Sequence, residues 1–170
     1  MLPPDELSGL WFQHAARLLL IARAIGEPAE DAVQEAFIRL AQQRRAPDEP
    51  LAWLVRTARN QLIQWHRSGV RRNRRNQQVA ADRGWFFVDA DQADRLDADE
   101  LTHALKRLPD DQREIVVLRV WGELSFERIA ETVALSRATT HRRYVEAIQT
   151  LRARFDCPQP EGQKLKEFLS

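Results

Sequence analysis

Two clusters of side chains in this sequence have the donor chemistry that a polyanion requires. The first lies in AWLVRTARNQLIQWHRSGVRRNRR, where Arg56, Arg59, Arg67, Arg71, Arg72, Arg74 and Arg75 are interleaved with Asn60, Gln61, Trp65 and His66. Guanidinium groups track a phosphate backbone, aromatic and guanidinium planes stack on exposed bases, and Asn or Gln amides bond the polar edges of an unstacked base. Trp53 reads as core. Trp65 continues the apolar stripe of Leu54, Ala58 and Leu62, so a packed ring with one edge left for nucleic acid is the competing reading.

The second cluster lies in GELSFERIAETVALSRATTHRRYVEA. A short helix, a tight turn and a longer helix make a helix-turn-helix, which places the first turns of its second helix in a major groove. Arg137, Thr139, Thr140, His141, Arg142 and Arg143 occupy those turns. Arg can bond guanine bidentately, Thr can bond phosphate or touch a thymine methyl, and the positive end of the helix favours a phosphate. Spacing alone is equally compatible with an ordinary helical hairpin that has a polar face.

These clusters are hidden in the overall composition. The chain has 170 residues, with 26 Lys+Arg against 25 Asp+Glu, for a net charge of +1. Residues 44–75 hold nine Arg against Asp48 and Glu49, leaving +7. Residues 82–100 hold seven acids against Arg83 and Arg95, leaving −5. Residues 1–43 stand at −3 and residues 101–155 at +3. Such blocks fit a polyanion-binding face and a separate solvated connector, although any one run alone reads as solvated surface. The single cysteine, Cys157, excludes an internal disulfide. Four scattered histidines (His14, His66, His103, His141) offer no zinc-like ligand pair, so neither a metal nor a cofactor is expected. The acidic start, MLPPDELSG, lacks a signal-peptide pattern, and the apolar runs 18–22 and 51–55 are too short to span a bilayer. A cytoplasmic protein is expected.

The elements that must hold the clusters are helical. Trp11, Ala15, Leu18, Ala22 and Ile25 recur at helical steps over residues 7–25, and Gly26 with Pro28 ends that helix. A second helix over residues 29–43 has the stripe Ala32, Val33, Ala36, Phe37, Leu40, with Glu30 and Asp31 at its positive end. A third starts near Pro50 and ends near Ser68. Residues 70–100 show poor helical periodicity and read as a linker, with WFFV at 85–88 expected to fold back on a domain. That acidic linker is also a candidate to lie on the basic 44–75 surface in the free protein. Beyond it, Pro109 opens a helix that Gly122 stops. Ser125 caps a short helix, and Ser136 caps a long one from Arg137 to about Phe155. The tail, residues 156–170, carries weak signals.

EDAVQEAFIRLAQQ, then PLAWLVRTARNQLIQWHRSGVRRNRR, then LKRLPDDQREIVVLRVWGELSFERIAETVALSRATTHRRYVEAIQTLR, in that order, resemble a bacterial sigma factor of the extracytoplasmic-function type. The resemblance covers most of residues 7–155. It implies an all-α fold of two small helical domains, a sigma domain two bundle over 1–78 and a sigma domain four helix-turn-helix over 98–156. An acidic linker over 79–97 would join them, and a tail would follow over 157–170. It further implies a non-enzymatic protein that binds RNA polymerase core and promoter DNA, with an anti-sigma factor left open as a further partner and no membrane insertion.

By the same resemblance, Asp31, Gln34, Glu35, Phe37 and Ile38 fall where the family docks on polymerase; for Phe37 core and interface are equal readings. Arg56, Asn60, Gln61, Trp65, His66, Arg67, Arg71 and Arg72 fall where it melts and reads the minus-ten element. Arg137, Thr139, Thr140, His141, Arg142 and Arg143 fall where it reads the minus-thirty-five element. The family often has Gly in the turn of the second motif. Here the turn is Val133-Ala134-Leu135-Ser136, so Ala134 bears about 1 kcal/mol if it takes a positive φ.

Two other functions compete. A stand-alone helix-turn-helix regulator explains residues 101–155 but leaves the Arg-rich helix and DAVQEAF without a role, and no dimerisation helix is evident. A metal nuclease would need Glu123, Glu127 and Glu131 as ligands; without a second ligand cluster they read as a solvated face.

Overall fold

The computed structural model describes residues 1–68 and 92–155, which form seven helices and no strand among the described residues. The order is α1 (Pro4–Ile25), α2 (Ala29–Ala41), α3 (Pro50–Arg67), α4 (Gln92–Lys106), α5 (Asp110–Val120), α6 (Phe126–Val133) and α7 (Arg137–Phe155). The WFFV cluster, most of the acidic linker, Arg71, Arg72 and the tail lie outside the described residues.

Helices α1, α2 and α3 pack mutually around Leu18, Ile21, Ala22, Val33, Ala36, Leu40, Leu54, Val55, Ala58 and Leu62, all buried. These are the apolar stripes that helical periodicity picks out. Pro4 and Pro50 stand in the first turns of α1 and α3, where the missing N–H costs no hydrogen bond. The Leu2 amide, just ahead of α1, donates to the Ala41 carbonyl at 2.9 Å and ties the N-terminus to the end of α2.

The second half packs α5 against α7, with α6 and α4 beside them. Ile115, Val116, Val117, Leu118, Ile129, Ala147, Ile148 and Leu151 are buried there. The sequence places a linker up to residue 97, whereas α4 already begins at Gln92. Its opening sequence, QADRLD, mixes Asp94, Arg95 and Asp97 with few apolar residues and so shows no apolar period, yet acids suit the positive end of a helix. At the end of α5, a Cβ on Gly122 would meet the Leu118 carbonyl oxygen at 2.5 Å, so only glycine lets the chain turn so closely over α5.

One contiguous hydrophobic cluster runs through both halves, and α1 packs directly on α5. A polar contact seals this junction. In a continuing helix the Ala24 carbonyl would accept from residue 28, but Pro28 has no N–H. Arg113 of α5 supplies the missing donor: its Nε bonds the Ala24 carbonyl at 2.8 Å, while its Nη2 bonds Asp110 Oδ1 at 2.7 Å.

Candidate nucleic-acid interface

Both helices of the helix-turn-helix carry serine caps. Ser125 Oγ accepts from the Arg128 amide at 3.2 Å, and Ser136 Oγ accepts from the Thr139 amide at 3.1 Å. The turn between them uses Ala134 at φ 57° and ψ 45°, so this alanine does take the left-handed conformation that glycine adopts without strain. Behind α7, the Phe126 ring meets Tyr144 at 5.3 Å and His141 at 5.0 Å, both edge-on, and the Arg119 guanidinium lies 4.9 Å from the same ring. These contacts fix the angle at which α7 leaves the turn.

Arg137, His141 and Arg142 are exposed on α7 and form its outward basic face. Arg137 Nε pairs with Glu127 at 2.5 Å, and Arg142 sits 3.9 Å from Glu146. Glu127 is held below the usual carboxylate range, first by its own backbone N–H and then by Arg137. Arg143 is half-buried and paired with Asp111 of α5. Thr140 corrects the sequence reading: it is 0 % exposed, and its hydroxyl donates to the Ser136 carbonyl at 2.9 Å, so it faces the core and not a groove. Thr139 is half-buried, and its hydroxyl accepts from Ser136 Oγ at 2.8 Å.

On α3, Arg56 and Asn60 are exposed along the helix, and His66 and Arg67 are exposed at its C-terminal end. The end of α3 overlies the α1–α2 turn; a Cβ on Gly26 would sit 3.0 Å from His66 Nε2. Trp65 is half-buried against the core, as its stripe position requires. Gln61 is buried, and its Oε1 accepts from Arg39 Nη2 at 2.6 Å. Its amide is thereby committed to the interior of the α2–α3 pair, which corrects the reading of Gln61 as a base-reading side chain.

On α2, Gln34 and Ile38 project outward, with Ile38 55 % exposed, and Asp31 is half-buried. Glu35 accepts from Arg39 Nε at 2.8 Å. Phe37 is buried under the Trp11 ring at a centroid distance of 4.6 Å, which favours the core reading for it. Sequence reasoning missed what α1 brings here: Trp11 is 42 % and Phe12 87 % exposed. Neighbouring positions on a helix diverge by about 100°, so an adjacent Trp-Phe pair cannot both face one core, and that signal was available.

The acidic partners of α3 were also missed. Arg59 pairs through Nε with Glu114 of α5, Arg56 Nη2 lies 3.2 Å from Glu131 of α6, and Glu49 ahead of α3 receives Arg128 of α6 at 3.1 Å. An open crevice of about 510 Å³ lies between the halves, lined by Arg56, Arg59, Asn60, Glu131, Thr132 and Ala134. Glu123, Glu127 and Glu131 therefore do not converge: Glu123 faces Arg17, Glu127 faces Arg137, and Glu131 faces both Arg56 and Arg128. Among the described residues no helix is long and apolar enough to cross a membrane.

Comparison with known proteins agrees with this division. Residues 10–72 match the family model for Sigma-70 region 2, and residues 104–153 match that for Sigma-70, region 4. The ECF RNA polymerase sigma factor SigM of Bacillus subtilis (strain 168) is 28% identical over 158 residues, which cover 89% of this chain and 94% of SigM. The RNA polymerase sigma factor YlaC of the same organism is 26% identical over 154 residues, covering 84% and 88%. The fold matches that of the sigma factor RpoE from Bartonella quintana, solved in complex with the anti-sigma factor NepR. The TM-score is 0.65 at 21% identity, over 91% of this chain and 99% of that one. With both sigma regions present in family order on the two helical halves, the chain belongs to the sigma-70 family, as a sigma factor of the extracytoplasmic-function type.

Proposed function

We propose that the chain binds RNA polymerase core and directs it to promoters by a division of labour between its two halves. The exposed face of α7, with Arg137, His141 and Arg142, reads duplex DNA at the minus-thirty-five element. Thr139 contributes a partial contact at the start of the helix. On α3, Arg56, Asn60, His66 and Arg67, with one edge of Trp65, capture the melted minus-ten strand; Arg71 and Arg72 continue this basic run. Gln34 and Ile38, with Asp31 and Glu35 beside them, form the polymerase face of α2. Residues 1–78 act as domain two and 98–156 as domain four, joined through 79–97, and residues 157–170 form a tail. The factor itself catalyses nothing: capture of exposed bases shifts the closed-to-open promoter equilibrium, and RNA synthesis belongs to the polymerase. Its place of work is the cytoplasm, and an anti-sigma factor is a fitting further partner.

The observation that carries this reading is the pairing, in one chain, of a doubly capped helix-turn-helix whose outward face is basic with a separate arginine-bearing helix. A stand-alone regulator has no use for the second. Reconstituted transcription tests it. The purified chain with core polymerase is expected to start RNA at a defined promoter, and the chain alone to bind duplex DNA weakly. Core polymerase that gains no promoter specificity over a broad template library returns the chain to the regulator reading.

A further inference from the structure

The outward face of α7 is not wholly basic. Of the large apolar side chains on this helix, Tyr144, Ile148, Leu151 and Phe155 belong to or pack against the core cluster, and Val145 does not. Among the described residues, Val145 is the one exposed large apolar side chain of the second half, at 36%. Positions on a helix advance by about 100° per residue, so Ala138 and Val145, seven residues apart, differ by only about 20° around α7. Arg142 falls within about 60° of both. These three exposed positions line the side of α7 opposite Thr140, Ala147 and Leu151, which are buried.

A major groove offers such a face two kinds of partner. Donors and acceptors on the base edges suit Arg142, and the thymine C5 methyl suits an apolar side chain. The serine caps fix where α6 and α7 begin, and the edge-on contact of Phe126 with Tyr144 fixes the rotation of α7 one residue before Val145. Valine is β-branched and holds one preferred rotamer in a helix, so its methyl groups point in a set direction at little entropic cost. Ala138 adds no bulk that would hold the helix off the groove floor. Glu146, the next acid along α7, is drawn toward α5 by the Gln112 amide at 3.4 Å. Val145 stands three residues beyond Arg142, about 4.5 Å along the axis at about 1.5 Å per residue, which is close to the ~3.4 Å spacing of base pairs.

We infer that Val145 is a specificity-determining residue of α7, in van der Waals contact with a thymine methyl that lies within about two base pairs of the base meeting Arg142. The inference deepens the reading of the minus-thirty-five element proposed above and rests on it. Its energetic signature differs from that of the basic residues. Burying one methyl group gives about a fourfold preference for thymine over a base that lacks the methyl. Such a contact displaces no counterion, so it leaves the salt dependence of binding as it was. Arginine contacts to phosphate do the reverse: they tighten binding to every sequence and steepen the salt dependence.

The test uses the full chain as holoenzyme with core polymerase, on the promoter duplex that this holoenzyme selects from a broad template library. Each thymine of the minus-thirty-five element, on either strand, is replaced in turn by deoxyuridine, which removes only the C5 methyl. One replacement is expected to weaken wild-type binding about fourfold, read by competition against the unmodified duplex. V145A is expected to bind the unmodified duplex about fourfold more weakly than wild type, to lose sensitivity to that replacement, and to keep the wild-type salt slope. V145I, which keeps the branched methyl, is expected to restore the sensitivity. Folding is not at stake in V145A, because Val145 lies outside the core cluster and alanine is the better helix former at an exposed position. An element in which no thymine methyl matters overturns the inference, as does V145A that keeps full sensitivity at the same position. Holoenzyme that selects no promoter from the library overturns the function instead, before any uridine is introduced.

Discussion

Helices α3 and α7 both carry arginines proposed to meet nucleic acid, but their acidic partners come from opposite places. On α7, Arg137, Arg142 and Arg143 pair with Glu127, Glu146 and Asp111, all within the second half. On α3, Arg56 and Arg59 pair with Glu131 and Glu114, across the junction. The α7 pairs set side-chain positions within one rigid unit and survive any movement of the halves. The α3 pairs exist only while the halves touch. The proposed duplex contacts are therefore set within one half, whereas the proposed strand contacts are tied to carboxylates of the other.

The strongest way to break this contrast is to remove one carboxylate of each kind. Glu114→Ala leaves Arg59 shielded without its counter-charge and is expected to cost about 2 kcal/mol in chemical denaturation, somewhat less than a fully buried pair because both groups keep some water. Asp111→Ala, which frees the more exposed Arg143, is expected to cost less than about 1 kcal/mol. Equal costs would mean that the cross-junction pair is no more shielded than the local one.

DNA binding by the free chain sharpens the same contrast. Arg142→Ala is expected to weaken promoter-duplex binding severalfold and to lower the slope of log affinity against log salt by about 1. Arg56→Ala is expected to leave both unchanged in the free chain, because Glu131 already occupies that guanidinium, and to reduce open-complex formation only with polymerase present. A salt slope that falls equally for both variants would place Arg56 on DNA in the closed chain.

What the sequence disclosed follows the range of the forces involved. Helix limits were legible because proline, glycine and serine act within a few residues: Pro50, Gly122, Ser125 and Ser136 mark ends that the structure reproduces. The buried stripes were legible because helical periodicity is local geometry. Thr140 was misread because its neighbours are basic and outward, while its own position, four residues after Ser136, turns its hydroxyl back to the Ser136 carbonyl. The partners of Arg56 and Arg59 were not legible at all, since 75 and 55 residues separate them from their carboxylates. Nothing in Glu127 and Glu131 as a pair of charges says that one stays within its half while the other bonds both Arg128 of its own helix and Arg56 across the junction.

The wall of the crevice offers a smaller test. Ala134 holds a left-handed conformation at the turn before α7 and lines the crevice beside Arg56. Ala134→Gly is expected to raise unfolding stability by up to about 1 kcal/mol, because glycine carries no steric penalty there; its greater freedom when unfolded offsets part of the gain. Promoter affinity of the free chain should stay as in wild type, since no charge has changed across the junction. A gain in affinity would show that the strained turn, and not the ion pairs, holds α6 against α3.

The smallest expected effect concerns the first half and its edge of the junction. Burial, and secondarily the nearby Arg17, hold the His14 imidazole below its ordinary value of 6.5. A lowered value means the folded chain takes up this proton less readily than the unfolded chain. Its stabilising contribution is therefore fully present above pH 6.5 and is lost as pH falls from there through the lowered folded value. His14→Gln should flatten that part of the pH–stability curve and leave the neutral arm unchanged, read as thermal midpoints from pH 7.5 to 5. Protonation also sets a second positive charge near Arg17, whose partner Glu123 belongs to the other half. With only that one exposed pair involved, the separation between fluorophores on Ser8→Cys and Gln149→Cys, one exposed position in each half of a Cys157→Ser chain, should not change over the same range. A distance that lengthens on acidification in wild type but not in His14→Gln would mean that α1, in addition to α3, holds the halves together.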